Sequence, residues 1–480
     1  MTITIIENAD WIVAWDEAAQ EHVYLQGTDL VFDGNKIAHV GPGYDAAGAK
    51  VEKIDARGYM VAPGLVDVHS HLSHEPINKG YTDETGSRGL YNSNLFEYMP
   101  TMFGDDDAAV PQTRMAAAEL LMSGVTTIVD MSRRHPGWVD VMVASGLRTY
   151  IAPMFRSAAW VTRNGHVVEY EWDEANGERE MELALDIIDK AASHESGRIH
   201  GMVTPAQIDT CSPDLIRASH QAAKDRGMVW QIHAAQSVPE FHEITRRHGV
   251  TPIRWLHDLG VLGPGTIVGH GIFLDDHFST RWSTTDDLRI LAESGASVAH
   301  CPTVFWRRGM ALQDFGRYLR AGVNMTVGTD TYPHNMIEEM RAVGYLARLT
   351  AGSPHTVSTG QVFTAATIGA SKALGRDDIG RLAPGCKADF FMADMRHPLM
   401  NPARDPIRSL VYAAADRAIT DVYVDGRRVV ENGKVLGIDL QGAALEVNEA
   451  QKRAEKLVPQ RDLVAGRTAE EMSPLTFAKK

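Results

Sequence analysis

Two histidines one residue apart, His69 and His71, close the apolar run Val61-Ala62-Pro63-Gly64-Leu65-Val66-Asp67-Val68. Side chains alternate along a strand, so positions i and i+2 share a face. A strand here would set two imidazoles side by side at its C-terminal end, a ready pair of metal ligands. Three further runs end in the same way. Trp230-Gln231-Ile232 leads into His233, Ile267-Val268-Gly269 into His270, and Met325-Thr326-Val327-Gly328-Thr329 into Asp330. A single histidine at a strand end is more often a hydrogen-bonded structural residue. Several such residues, all at C-terminal ends, are harder to explain that way. Histidines with one carboxylate suit Zn(II) or Fe(II) and leave a coordination position for water. Such an ion lowers the pKa of bound water and supplies a hydroxide nucleophile. The remaining side chains must then activate groups and move protons.

That chemistry requires the strand ends to converge. Between residues 60 and 383 eight short apolar runs alternate with helical patterns: 61–68, 126–131, 149–155, 199–203, 229–233, 266–272, 297–301 and 324–329. Short, continuous apolar runs are expected of parallel strands covered on both faces. Ser212-Pro213 marks a helix start, and Ser294-Gly295 a helix end. The pattern predicts an α/β chain built as a TIM (β/α)8 barrel, with its site at the C-terminal ends of the strands. A doubly wound open sheet is the alternative, but no GxGxxG or P-loop supports it. Residues 3–60 read as short β runs with a turn at Asp33-Gly34-Asn35-Lys36, and similar runs return after 388. The predicted division is a composite β-sandwich of 1–59 plus 384–440, a metal-binding barrel of 60–383, and a C-terminal helix and tail of 441–480. Residues 74–109 are too many for a plain connection and are expected to form a pocket wall or lid.

Composition narrows the function. The chain has 480 residues, 44% apolar and 23% charged, ordinary values for a globular protein. A net charge of −15 argues against nucleic acid as the main partner. No apolar run is long enough to span a bilayer, and the N-terminus lacks a signal-peptide pattern. Three scattered cysteines, Cys211, Cys301 and Cys386, form neither a disulfide framework nor a CxxC zinc motif. A cytoplasmic protein acting on small molecules is expected, with no membrane partner.

Several stretches follow one another across nearly the whole chain. They are Pro63-Gly64-Leu65-Val66-Asp67-Val68-His69-Ser70-His71-Leu72; Gly124-Val125-Thr126-Thr127; Trp255 to Gly263 followed by His270; Ala299-His300-Cys301-Pro302; Gly322 to Asp330; and Ile379-Gly380-Arg381-Leu382-Ala383-Pro384-Gly385 to Asp389. In this order they resemble the amidohydrolase superfamily. The branch they resemble holds triazine hydrolases and the cytosine, guanine and S-adenosylhomocysteine deaminases. The resemblance implies one divalent metal, zinc or alternatively iron, bound by His69, His71, His233 and Asp330. It implies that His270 orients the nucleophile or the substrate, and that Asp330 doubles as a proton shuttle. Binuclear members bridge their metals with a carboxylated lysine on strand four, and residues 199–203 contain no lysine. Homo-oligomers, dimers or larger, are implied by analogy.

The chain also departs from that branch. The branch carries His-x-x-Glu after strand five, whose glutamate protonates a ring nitrogen; here His233-Ala234-Ala235-Gln236 puts an amide there. An amide donates a hydrogen bond but does not transfer a proton. The sequence after strand four, Pro205-Ala206-Gln207-Ile208-Asp209, and the Val304-Phe305 pair after Cys301-Pro302 also differ. A carbonyl substrate needs only metal polarisation and a proton for its leaving nitrogen. The expected function is therefore hydrolysis of an amide, urea or carbamate-like C–N bond by a metal-bound hydroxide, with Gln236 in the catalytic set beside His270 and Asp330. Two alternatives remain. One is a deaminase or dechlorinase of a nitrogen heterocycle, with Glu240 or Asp209 as the acid; the other is an inactive binding protein on the same scaffold. Gln207, Asp209, Phe305, Trp306, His334 and Trp160 are the candidate substrate contacts. The aromatic ones read equally well as core, and His300 reads as structural or supporting.

Overall fold

The computed structural model describes residues 2–81, 87–90 and 95–479. It is a mixed α/β fold whose centre is eight parallel strands: β1 (Leu65–Ser70), β2 (Val125–Asp130), β3 (Arg148–Ile151), β4 (Ile199–Gly201), β5 (Trp230–Ala234), β6 (Thr266–His270), β7 (Ser297–His300) and β8 (Asn324–Val327). They form two four-stranded sheets, β1 to β4 and β5 to β8, each ordered as in the chain. The margins of the two sheets are bonded to each other. Asp330 N donates to His69 O at 2.8 Å and His71 N to Asp330 O at 3.0 Å, while Gln231 N donates to Val203 O at 3.1 Å. Strands β1, β2, β3 and β5 to β7 are buried throughout, which explains why each reads as apolar without strict alternation.

The two chain ends share one nine-stranded sheet. Its N-terminal part is led by the hairpin Thr2–Asp16 with Glu21–Asp33, and Tyr59–Pro63 pairs antiparallel with Phe390–Asp394. The predicted turn is present, with Asp33 opposite Lys36 and Gly34 at φ 57°. The apolar run 61–68 was expected as one strand and is instead divided. Residues up to Pro63 belong to the flanking sheet and those from Leu65 to β1. The break falls at Gly64, where a Cβ would meet Thr126 Oγ1 at 2.1 Å, so only glycine lets the chain pass from one sheet to the other.

The predicted helix signals hold. Ser212 accepts from Leu215 N ahead of the helix Pro213–Asp225, and Gly295 closes Asp287–Ser294 at φ 75°. After β1 the described chain forms α1 (Leu95–Thr101) and α2 (Ala109–Met122), and α3 (Leu440–Arg461) lies across this region. Gln451 of α3 donates to Ile77 O at 2.6 Å and to Lys79 O at 3.0 Å. No helix among the described residues is long and apolar enough to cross a membrane.

The centre and the flanking sheet are tied by a buried cation. Arg148, at the start of β3, donates to Asp389 at 3.2 and 3.3 Å and to Asp425 at 3.0 Å. Replacing Arg148 by Met strands two carboxylates at a buried junction, and this should lower stability by about 3–5 kcal/mol. Denaturant unfolding measures it; a loss below about 1 kcal/mol would show that the junction does not depend on the ion pair.

Candidate metal centre

The geometry of the centre follows from where the ring protons sit. His69 Nδ1 faces Gln231 Oε1 at 2.7 Å, and Gln231 Nε2 donates to Val68 O at 3.0 Å, which fixes the amide's orientation. His233 Nδ1 lies 2.6 Å from Ala206 O, and His71 Nδ1 bonds to Met131 O. A carbonyl oxygen only accepts, so all three histidines carry a proton on Nδ1 and turn Nε2 inward, where the neutral ring offers a lone pair. Those lone pairs converge. His233 Nε2 is 3.3 Å from His71 Nε2, and His69 Nε2 has no hydrogen-bond partner. The ligand atoms of His69, His71 and His233 all lie within 4.8 Å of one another.

Asp330 completes the cluster. Its Oδ1 is 3.2 Å from His71 Nε2 and 3.8 Å from His69 Nε2, and its Oδ2 is 3.8 Å from His270 Nε2. Burial works against its charge, but the His71 hydrogen bond and the surrounding histidines hold the carboxyl well below the usual range. Burial lowers His69 to about 4 and pushes His233 and His270 well below their ordinary value. Burial also lowers His71, yet its bond to Asp330 more than offsets this. An anion among largely neutral imidazoles with converging lone pairs is a site for a divalent cation. His270 at φ 82° and Asp330 at φ 60° sit in left-handed backbone, where few non-glycine residues are found; the turn at each strand end aims the side chain.

Of the other candidates, Gln236, Gln207, Phe305 and Trp160 line one cavity with His71, His233, His270 and Asp330. Gln236 Nε2 is buried without a partner. Three expected substrate contacts lie elsewhere. Asp209 stands behind the wall, where its Oδ2 accepts from Trp160 Nε1 and Tyr170 OH, each at 2.8 Å. Trp306 is 46% exposed, because it follows Phe305 on the one-turn helix Pro302–Trp306 and so faces away from it. His334 is fully buried beside Glu119, at 3.8 Å, and does not reach the cavity. His300 is buried against Phe315 and is not in the lining. Glu240, considered as a replacement acid, accepts from Ala235 N at 2.6 Å and Gln236 N at 3.1 Å and so braces the turn after β5.

Sequence reasoning missed Gln231 and Asp67. Gln231 sits two residues before His233, and Asp67 two before His69, so alternation put both on the ligand face. Asp67 accepts from Thr329 Oγ1 at 2.6 Å, Thr329 N at 3.2 Å and His69 N at 3.1 Å, locking β1 to the end of β8. Burial raises this carboxyl to about 7. Glu75, Tyr98 and Arg308, also in the lining, carried no motif.

Fold and centre together define a metal-dependent hydrolase of carbon–nitrogen bonds. The chain belongs to the amidohydrolase family, which it matches over residues 60–429. Among curated relatives, the 5'-deoxyadenosine deaminase of Methanosarcina mazei is 28% identical over 95% of this chain and 99% of its own. The fold is shared with a zinc-bound adenosine deaminase from Xanthomonas campestris (TM-score 0.79, 20% identity, 95% of this chain and 98% of that one). It is also shared with the zinc complex of atrazine chlorohydrolase from Arthrobacter aurescens TC1 (TM-score 0.77, 21% identity, 94% and 100%).

Gly269 tests how tightly the centre is built. A Cβ there would lie 2.8 Å from His69 Cε1. Gly269→Ala should leave the fold intact while weakening metal binding about 10–100-fold, the range seen when ligand positioning is disturbed. Metal content after dialysis against a chelator, read beside circular dichroism, decides it; unchanged metal retention would mean that His69 is not a ligand.

Proposed function

We propose that this chain is a mononuclear hydrolase of amide, urea or carbamate-like C–N bonds, with His69, His71, His233 and Asp330 as ligands. Zinc is the metal we favour, on the histidine-rich donor set. The bound cation supplies a water acidic enough to attack a carbonyl at neutral pH. Asp330 then holds the proton and returns it to the departing nitrogen, while His270 Nε2 faces its second oxygen and orients the reacting group. A single metal is supported by β4, whose Ile199, His200 and Gly201 offer no lysine to bridge a pair. We read the two bonded sheets as a closed (β/α)8 barrel over 60–383. The composite sheet is then a flanking β-sandwich of 1–59 plus 384–440, with 441–480 a separate helix and tail.

The observation that carries the substrate class is Gln236. Its amide lines the cavity where attack on an aromatic azine would call for an acid; Asp209 is held by Trp160 and Tyr170, and Glu240 by the turn that carries Gln236. A second reading, deamination of a nitrogen heterocycle, is favoured by the deaminase names of the curated relatives. The full chain reconstituted with zinc should release amine from anilides, aryl ureas or carbamates and lose that activity on chelation. Gln236→Glu should lower carbonyl turnover about tenfold, by placing a second carboxylate beside Asp330, and should introduce azine turnover. Ammonia or chloride release from azines by the unmodified protein, with carbonyl substrates untouched, would establish the second reading instead.

A further inference from the structure

Two charged groups in the cavity have no part in the chemistry above. Glu75 follows β1 by one short turn and is only 2% exposed, yet its Oε2 has no hydrogen-bond partner. Arg308 follows β7 and is 8% exposed; its Nη2 donates to Tyr98 OH at 2.8 Å, and its Nε has no partner. Glu75, Arg308 and Tyr98 line the cavity together with His71, Asp330 and Gln236. Each charge acts on the other, but neither Glu75 Oε2 nor Arg308 Nε has a hydrogen-bond partner, so the two do not satisfy each other. Burying a carboxyl and a guanidinium with bonding capacity unused is unfavourable unless something else completes them. The wall that holds Glu75 is braced by α3 through the carbonyls of Ile77 and Lys79, so it is a built surface.

We propose that Glu75 and Arg308 form a specificity clamp for substrates that present an N–H donor beside a hydrogen-bond acceptor. The Glu75 carboxylate accepts the substrate N–H, and Arg308 Nε donates to the neighbouring oxygen or nitrogen. Secondary amides, N-monosubstituted ureas and carbamates carry this pair, whereas tertiary amides, N,N-disubstituted carbamates and fully N-substituted ureas lack the donor. A site built to bond an N–H rejects the analogue without it far more strongly than an apolar pocket rejects one methyl group, because its own polar group is left unpaired. Burial pushes the Glu75 carboxyl up to about 7; His71, Arg307 and Arg308 pull against that rise and Asp330 adds to it.

The clamp rests on the carbonyl C–N reading, and its test separates the two. The zinc-reconstituted full chain is assayed with acetanilide and with N-methylacetanilide, which has no N–H, and binding of both is measured by calorimetry. The clamp predicts a preference of at least about a hundredfold in kcat/KM for the N–H compound. Glu75→Ala should erase that preference mainly through KM, with metal content unchanged. Glu75→Gln, which keeps shape and an acceptor oxygen, should retain part of it. Arg308→Met should raise KM for both compounds. If neither anilide is turned over, the proposed reaction fails for anilides; tighter calorimetric binding of acetanilide, lost in Glu75→Ala, still upholds the clamp. Equal or absent binding of the two anilides overturns it. So does a Glu75→Gln variant that loses kcat on both compounds at unchanged KM, since that marks a proton donor.

Discussion

Asp330 faces His69 and His71 across the seam where the first and eighth central strands meet, and it keeps a negative charge in a buried place. A buried carboxylate without compensation is unfavourable by several kcal/mol. A protonated His71 compensates it, whereas a neutral imidazole only aims a lone pair at it. The arrangement is stable only with a proton or a cation at the centre, so the cluster is a demand for positive charge built into the fold. The backbone makes the demand rigid: the amides of His71 and Asp330 cross the seam to each other's strands at 3.0 and 2.8 Å. The Asp67–Thr329 bond repeats the link one layer lower. The bonds that join the margins of the two sheets are thus also the bonds that hold the site.

The ring tautomers come from the same economy. Carbonyls of Met131 and Ala206 lie at the ends of neighbouring elements, and Gln231 is locked by Val68 O. Each takes an Nδ1 proton and frees an Nε2 lone pair. Partners of this kind raise ligand basicity and fix ring orientation. They are mostly backbone groups, so substitution cannot remove them without moving a strand. The exception is Gln231, a side chain, and it serves the most deeply enclosed ligand.

The cluster was legible in the sequence because strand periodicity alone puts His69, His71, His233, His270 and Asp330 at C-terminal ends, and parallel strands bring those ends together whatever the loops do. Periodicity also contained Gln231 and Asp67, but neither residue type announces itself as a partner. The division at Gly64 was hidden because both halves of the run are apolar and both are buried, in different sheets. What separates them is a tertiary contact with Thr126. The substrate wall was least legible. Phe305 and Trp306 are neighbours on a single helical turn, where successive side chains diverge by about 100°, and sequence cannot say which one turns inward. Asp209 and His334 lie in irregular connections, whose side-chain directions follow no period.

The wall therefore has to be understood through what holds it. Asp209 does not touch the cavity but bonds Trp160, which does, and Glu240 braces the turn that carries Gln236. Glu75 rides on a segment whose carbonyls are tied to Gln451, close to the far end of the chain. Arg461 of the same helix donates to Phe103 O at 2.8 Å, and Arg467 pairs with Glu97 of α1 at 2.8 Å. Asp209 and Glu240, acids that sequence offered to the chemistry, instead support neutral groups of the wall. Such a site can change its substrate without touching a ligand, because the ligands answer to the strands and the wall answers to the loops and to α3. The family match over residues 60–429 covers the strands that carry the centre, while α3, which braces part of the wall, lies outside it.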